Sequence, residues 1–357
     1  MNNHRIYVCH TFYHIYVTLL KEFHMPDDEK GKADIVLSNI SSDLFPLAGR
    51  LTESGVFGHV YKMEEKKESY FPELAKYRKS YNNIVRHLVN RIIFTKKLAK
   101  LEEPFVPVDF RAYKDVYVYC DSDPIGYYLN YKHIYYHALE DGLDCLKYLD
   151  AAYYDNRGHF KLKAWLSARN IIFIQNGYGK YCLDMEVNDL SCLRRSASNY
   201  KVVPRKPLES GLSKEQKMTM LRVFMENADD FMKDLLEKAA GRECILFLTM
   251  PHPQDEEIRK RICKDILRDH CQGYHTVIKP HPRDLIDYAA LCPECTVIKG
   301  KFPIEVMNFM EGIKFKRALS IATTAIDTLD FCEEKVNLGE SFWDAYEDPA
   351  LHNWQKI

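Results

Sequence analysis

The chain has 357 residues, with 50 Lys and Arg against 51 Asp and Glu and a net charge of −1. At roughly 150 residues per domain that is about two domains, and the charge balance excludes a dedicated nucleic-acid binder, which carries a basic excess. No run reaches the roughly 18 apolar residues of a membrane span. The start, Met1 to Val8, lacks the apolar core of a secretory signal. An odd number of cysteines, 11, fits the reduced thiols of a cytoplasm better than a disulfide framework.

In chain order, Arg5–Cys9 reads as a strand and Phe12–Phe23 as an amphipathic helix with Thr11 as its N-cap. Ala33–Asn39 and Phe57–Tyr61 read as strands, and 73–100 as a basic helical stretch. That stretch is a solvated face or a contact for anionic lipid headgroups or a phosphorylated glycan at the inner membrane. Asp115–Cys120 is a strand ending in Asp121-Ser122-Asp123, with Pro124 suited to the first turn of a helix capped by Asp123. Ile134–Leu139 runs into Glu140-Asp141-Gly142, and Asn170–Ile174 reads as a further strand. Arg194–Lys217 is polar enough for a surface excursion, and Lys217–Ala240 reads as one helix. Cys244–Thr249, Tyr274–Lys279, Thr296–Ile298 and Arg317–Ile321 are strands alternating with helices, and Trp343–Ile357 reads as a closing helix. Strands alternating with helices give α/β architecture: two Rossmann-like domains facing a central cleft. The expected division is 1–240, 241–335 and a C-terminal helix, 336–357, packing back on the first domain.

In such sheets ligands bind beyond the carboxyl ends of the strands. Glu140 and Asp141 stand there together, with Gly142 freeing the turn; like charges raise one pKa, which suits a general base for a sugar hydroxyl, although acidic turns are common. Lys279-Pro280-His281-Pro282 fixes φ on both sides of a histidine that can donate to a phosphate or protonate a leaving oxygen. Ser320, Thr323 and Thr324 sit where the last expected strand becomes a helix, a place that binds an anion or is simply capped. Glu305, at the start of another helix, either holds ribose hydroxyls or is a first-turn acid. Asp121 and Asp123 have the spacing of a metal-binding DxD, for which capping is the preferred account. HExxH, GxSxG, Walker A and GxGxxG are absent from the chain.

The carboxylate–Gly triplet, the His-Pro and the paired hydroxyls, in this order, resemble bacterial sialyltransferases of glycosyltransferase family 52, the lipooligosaccharide sialyltransferase family. The opening turn around Thr11, Tyr13 and His14, with Phe12 in place of a proline, is similar, as are Thr249-Met250-Pro251 and Phe302-Pro303-Ile304-Glu305. Leu143-Asp144-Cys145-Leu146 departs from the small residues and tyrosine that follow Gly142 in the family.

The resemblance implies a GT-B fold, a homodimer, no metal cofactor, and inverting transfer of sialic acid from CMP-sialic acid to a hydroxyl of lipooligosaccharide, capsule or exopolysaccharide. Glu140 or Asp141 would be the base and His281 would serve the departing phosphate. Lys279, Pro282, Thr249, Ser320, Thr323, Thr324 and Glu305 would hold the donor; Thr11, Tyr13, His14 and Gly142 would line the acceptor side. The alternatives are a glycerophosphotransferase or glucosyltransferase on the same scaffold, and a non-catalytic nucleotide-binding protein.

Overall fold

The computed structural model describes residues 4–348 apart from 80–82, 192, 194, 196, 240, 254, 282, 314, 324, 325 and 328. It separates into two units, Met1–Gln216 and Lys217–Ile357. In the first, β1 (Arg5–Cys9), β2 (Ala33–Ser38), β3 (Phe57–Met63), β4 (Asp115–Tyr119), β5 (Tyr136–Leu139), β6 (Cys182–Val187) and β7 (Tyr200–Val202) form one sheet in the order β3-β2-β1-β4-β5-β6-β7. All its neighbouring strands are parallel. β1 and β2 are buried along their whole length, as a parallel sheet covered on both faces requires, and so read as continuous apolar runs. The strand order reverses between β1 and β4, where a doubly wound sheet opens its ligand crevice.

The second unit repeats the plan. β8 (Cys244–Leu248), β9 (His275–Lys279), β10 (Thr296–Val297), β11 (Phe315–Ser320) and β12 (Cys332–Asn337) run in the order β10-β9-β8-β11-β12, again all parallel, with the switch point between β8 and β11. Its core gathers Ile245, Phe247, Ile262, Ile278, Leu319 and Trp343. Two Rossmann-like sheets, as expected, are therefore present.

Several expected elements differ. The division falls at Gln216/Lys217 rather than after 240, because Lys217 pairs with Glu311 (2.7 Å) and the Phe224 carbonyl packs on Gly300. The expected helix over Lys217–Ala240 is two helices, Lys214–Phe224 and Ala228–Lys238, broken where Asn227 takes a left-handed φ of 52°. Asn170–Ile174 is not a strand; Ile172 and Ile174 are buried against Ala152, and the strand is β6. Arg317–Ile321 is not the last strand, since β12 follows it. Within the described part of the expected C-terminal segment, Glu340–Ala345 is a 3-10 turn that sets Trp343 in the second unit's own core. Residues 349–357 lie outside the described residues.

Candidate functional site

At the first switch point, β1 gives way to helix α1 (Phe12–Phe23), capped by Thr11, whose Oγ1 accepts the His14 N–H at 3.4 Å. The His14 ring answers: its Nδ1 accepts the backbone N–H groups of His10 (3.0 Å) and Thr11 (3.2 Å). A ring nitrogen that accepts carries no proton, so Nε2 carries it. Nε2–H points at Asp141, 2.9 Å from both Oδ1 and the backbone oxygen. Burial, with the nearby His10 charge, lowers the His14 pKa against the pull of Asp141, in keeping with this neutral tautomer.

Asp141 Oδ1 accepts a second bond, from the Cys120 thiol at 2.8 Å. Cys120 ends β4 with φ 51°, a left-handed conformation that is costly for a residue with a Cβ and turns its sulfur toward Asp141. The Asp141 side chain is 60% exposed, and the His14 hydrogen bond first, with the Cys120 bond and the His10 charge, holds its pKa at about 2 against partial burial. Glu140, one residue earlier, is 2% exposed: Oε1 accepts the Asn188 N–H at 2.8 Å and lies 3.7 Å from Arg205 Nη2. Burial drives its pKa up to about 7 despite Arg205.

Behind this pair, His10 Nε2 meets Glu65 Oε2 at 3.0 Å. Burial opposes charge on both, but their mutual attraction outweighs it, raising His10 and lowering Glu65, which also accepts from Ser38 Oγ (2.7 Å) and the Ile125 N–H (2.9 Å). Asp121 is buried and committed to the Asn176 N–H (2.9 Å) and Tyr136 OH (3.0 Å). Asp123 occupies the N-cap of helix α2 (Pro124–Lys132) without making a side-chain cap bond; its Oδ2 lies 3.9 Å from His10 instead. Burial raises both aspartates to about 6. Gly126 is required here: a Cβ would stand 1.9 Å from the Asp121 carbonyl oxygen.

His10, His14 and Cys120 could each offer a metal a donor atom within 4.8 Å of the others. His14 and the Cys120 thiol, however, both donate to Asp141, so as they stand these residues form a hydrogen-bonded cluster around a carboxylate. Tyr13 lies on the first turn of α1, with its ring 6.0 Å from Tyr16, and Gly142 is half-buried beside Cys145.

In the second unit the His281 loop leaves β9 beside the end of β8. Thr249 Oγ1 accepts the His281 N–H (3.0 Å) and donates to Asp284 Oδ2 (3.2 Å), which also accepts Tyr288 OH at 2.6 Å. His281 Nδ1 accepts the Arg283 N–H at 3.1 Å, so Nε2 carries the ring proton and is free to donate. Burial, then Arg283, lowers the His281 pKa. Lys279 is 5% exposed, its Nζ 3.1 Å from the Gly300 carbonyl and 4.1 Å above the Phe302 ring, and burial lowers it to about 8. That side chain fastens the segment after β10. Ser320 Oγ, at the end of β11, is fully buried and has no hydrogen-bond partner among the described residues. Thr323 follows it half-buried, and Glu305 stands in the first turn of the 3-10 helix Ile304–Phe309. Pro282 and Thr324 lie outside the described residues.

The first unit thus brings Thr11, His14, Glu140 and Asp141 together, and the second brings Thr249 and His281 together. Cys120, Arg205, Asn188, Glu65 and Asp284 were not among the expected site residues. The strand-end position of Cys120 is a sequence signal; the others arrive from distant segments with no local sign.

Residues 57–338 match the family model described as Glycosyltransferase family 52. A Haemophilus influenzae protein described only as uncharacterized is 34% identical over 101 residues, 27% of this chain and 31% of that protein, so the match spans under a third of the relative's length. The α/β-galactoside α-2,3-sialyltransferase of Photobacterium phosphoreum is similar over 93% of this chain and 89% of its own, at 14% identity and a TM-score of 0.53. That likeness shows the fold. A sialyltransferase of Photobacterium damselae is similar over 92% of this chain and 89% of its own, at 13% identity and a TM-score of 0.48. With the family model covering most of its length, the chain belongs to glycosyltransferase family 52.

Proposed function

We propose that the protein transfers sialic acid from CMP-sialic acid to a hydroxyl of a cell-surface glycan (lipooligosaccharide, capsule or exopolysaccharide), inverting the anomeric carbon in one displacement. The observation that carries this reading is the Asp141 carboxylate: exposed, ionised, with Oδ1 taken by His14 and Cys120 and Oδ2 left open. Asp141 Oδ2 takes the proton of the acceptor hydroxyl as that oxygen attacks the anomeric carbon. The bond to the CMP phosphate breaks, its electrons pass to the phosphate oxygen, and His281 Nε2–H donates to the charge that develops there. Because Nδ1 is held by the Arg283 N–H, His281 acts as a hydrogen-bond donor rather than as an imidazolium acid. Glu140, buried on Arg205 and Asn188, fixes the turn that presents Asp141.

In this reading Thr323 and Thr324 assist at the phosphate and Glu305 at the ribose, as the resemblance implies. CMP leaves with a single phosphate, so a histidine N–H and hydroxyls can balance its charge and the reading includes no metal. No helix among the described residues is long and apolar enough to cross a membrane; the reading places the enzyme in the cytoplasm, as a homodimer, working on glycans assembled at the inner membrane face.

Calorimetric titration with CMP, UDP and GDP tests the donor. Metal-independent CMP binding, weakened about tenfold or more in His281→Ala by loss of one hydrogen bond to a charged group worth about 1.5–3 kcal/mol, supports the reading. Preference for UDP or GDP favours another nucleotide-sugar transferase, and turnover of CDP-glycerol a glycerophosphotransferase.

A further inference from the structure

Beside the Asp123 turn the first unit holds a cavity of about 680 Å³ that the chemistry above does not use. Its lining mixes aromatic and basic side chains with the carboxylates of Glu68, Asp123 and Asp155. Tyr127 and Phe173 meet edge to face at 4.8 Å and form an aromatic wall of the kind that sugar faces pack against. With them on the lining stand Lys67, Arg78, His87 and Arg91, the last two from the helix Ile84–Glu102. Arg78 is paired with Glu68. Arg91 is different: half-buried, it donates Nη2 to the Phe173 carbonyl at 3.0 Å, and no carboxylate among the described residues lies within 4.0 Å of it. Burial disfavours its charge. Asp155, on the same lining, attracts it only from beyond ion-pair distance, so an anion in direct contact would stabilise a half-buried guanidinium further.

We infer that this cavity is a subsite for an anionic sugar of the acceptor glycan, its phosphate monoester or carboxylate received by Arg91 with His87 and Lys67, and its ring packed on Tyr127. The inference rests on the glycosyl-transfer reading for the word acceptor, while the binding site itself does not. The fork of Arg91 can engage two charged oxygens of such a group at once, and the charge is what a neutral sugar lacks. The cavity borders Ser122 and Asp123, so the anionic residue would lie next to the turn at the end of β4 from which Cys120 reaches Asp141. Asp155, which also lines it, accepts the Gln175 amide at 3.1 Å.

The test is donor-free. Glucose 6-phosphate, glucuronate and glucose are titrated into the wild-type protein, Arg91→Gln and His87→Gln, with circular dichroism confirming the fold of each. Binding of either anionic sugar at least tenfold tighter than glucose, reduced tenfold or more in Arg91→Gln and several-fold in His87→Gln, is the expected result. The stronger of the two anions identifies phosphate or carboxylate as the source. Should Arg91→Gln fail to fold, the exposed His87 decides the matter. Equal weak binding of all three sugars, or binding indifferent to both substitutions, overturns the subsite. Capture by phosphatidylserine vesicles without sugar binding also overturns it, in favour of a lipid contact. A separate assay of CMP-sialic acid turnover reports on the transfer reading, so the two can fail independently.

Discussion

At Asp141 two donors converge on one carboxylate oxygen, and both owe their aim to backbone geometry: the His14 tautomer is set by two amide N–H groups, and the Cys120 thiol by a left-handed strand end. Such donors stabilise the ionised form and lower the pKa. A base must be ionised to work, so activity falls as pH drops through its pKa. Replacing His14 with Leu removes the largest cause of the depression, and the acid limb of the kcat/KM profile should move upward from near pH 2 toward the ordinary aspartate range of about 4. An unmoved limb in a folded variant would sever His14 from the base.

Glu140 gives the opposite sign. Its folded pKa of about 7 exceeds the unfolded value, so the native state holds the extra proton and stability falls as pH rises between about 4.5 and 7. Relative to Glu140→Gln, the wild type should lose up to ~3 kcal/mol across that window in urea titrations at several pH values. A constant difference would show that Arg205 keeps Glu140 ionised throughout.

The elements that were legible from the sequence are those whose burial is apolar. β1, β2, β4 and β8 announce themselves as runs of Val, Ile, Leu and aromatics, and the polar residues just past them mark the strand ends. β6 was hidden because its inward charges are paired: Asp184 with His137 (2.8 Å) and Lys201, Glu186 with Lys21. β12 was hidden because it is an edge strand held by the ion pairs Lys316–Glu333 (2.6 Å) and Arg317–Glu334 (2.8 Å), a pattern that reads as exposed loop. Conversely, Asn170–Ile174 shows that an apolar run can be buried without joining a sheet.

The same limit applied to the His281 loop. Its prolines were visible, but Asp284, which ties Thr249 and Tyr288 beneath it, gave no sign. Asp284→Ala leaves two buried hydroxyls without their acceptor, at about 1–3 kcal/mol each. Thermal denaturation should show that loss together with weaker CMP binding; a lowered Tm with unchanged CMP affinity would detach Asp284 from the donor loop.

On the scale of the whole molecule, two sheets of the same winding give two switch points with different chemistry. The first offers an exposed carboxylate backed by a neutral histidine and lies near the cavity that holds Arg91; the second offers an imidazole N–H and hydroxyls suited to a phosphate. In the proposed reading the first unit supplies the base and the second the group that receives the nucleotide phosphate; the family match itself shows membership of glycosyltransferase family 52. The most direct test is consumption of CMP-sialic acid in the presence of a cell-surface glycan acceptor by the wild type, Asp141→Asn and Glu140→Gln, with CMP affinity measured alongside. Turnover by the wild type, a loss of about 10²–10⁴-fold in Asp141→Asn at unchanged CMP affinity, and a milder loss in Glu140→Gln are predicted. Full activity in Asp141→Asn, or a wild type that binds CMP but never consumes CMP-sialic acid, would contradict the account.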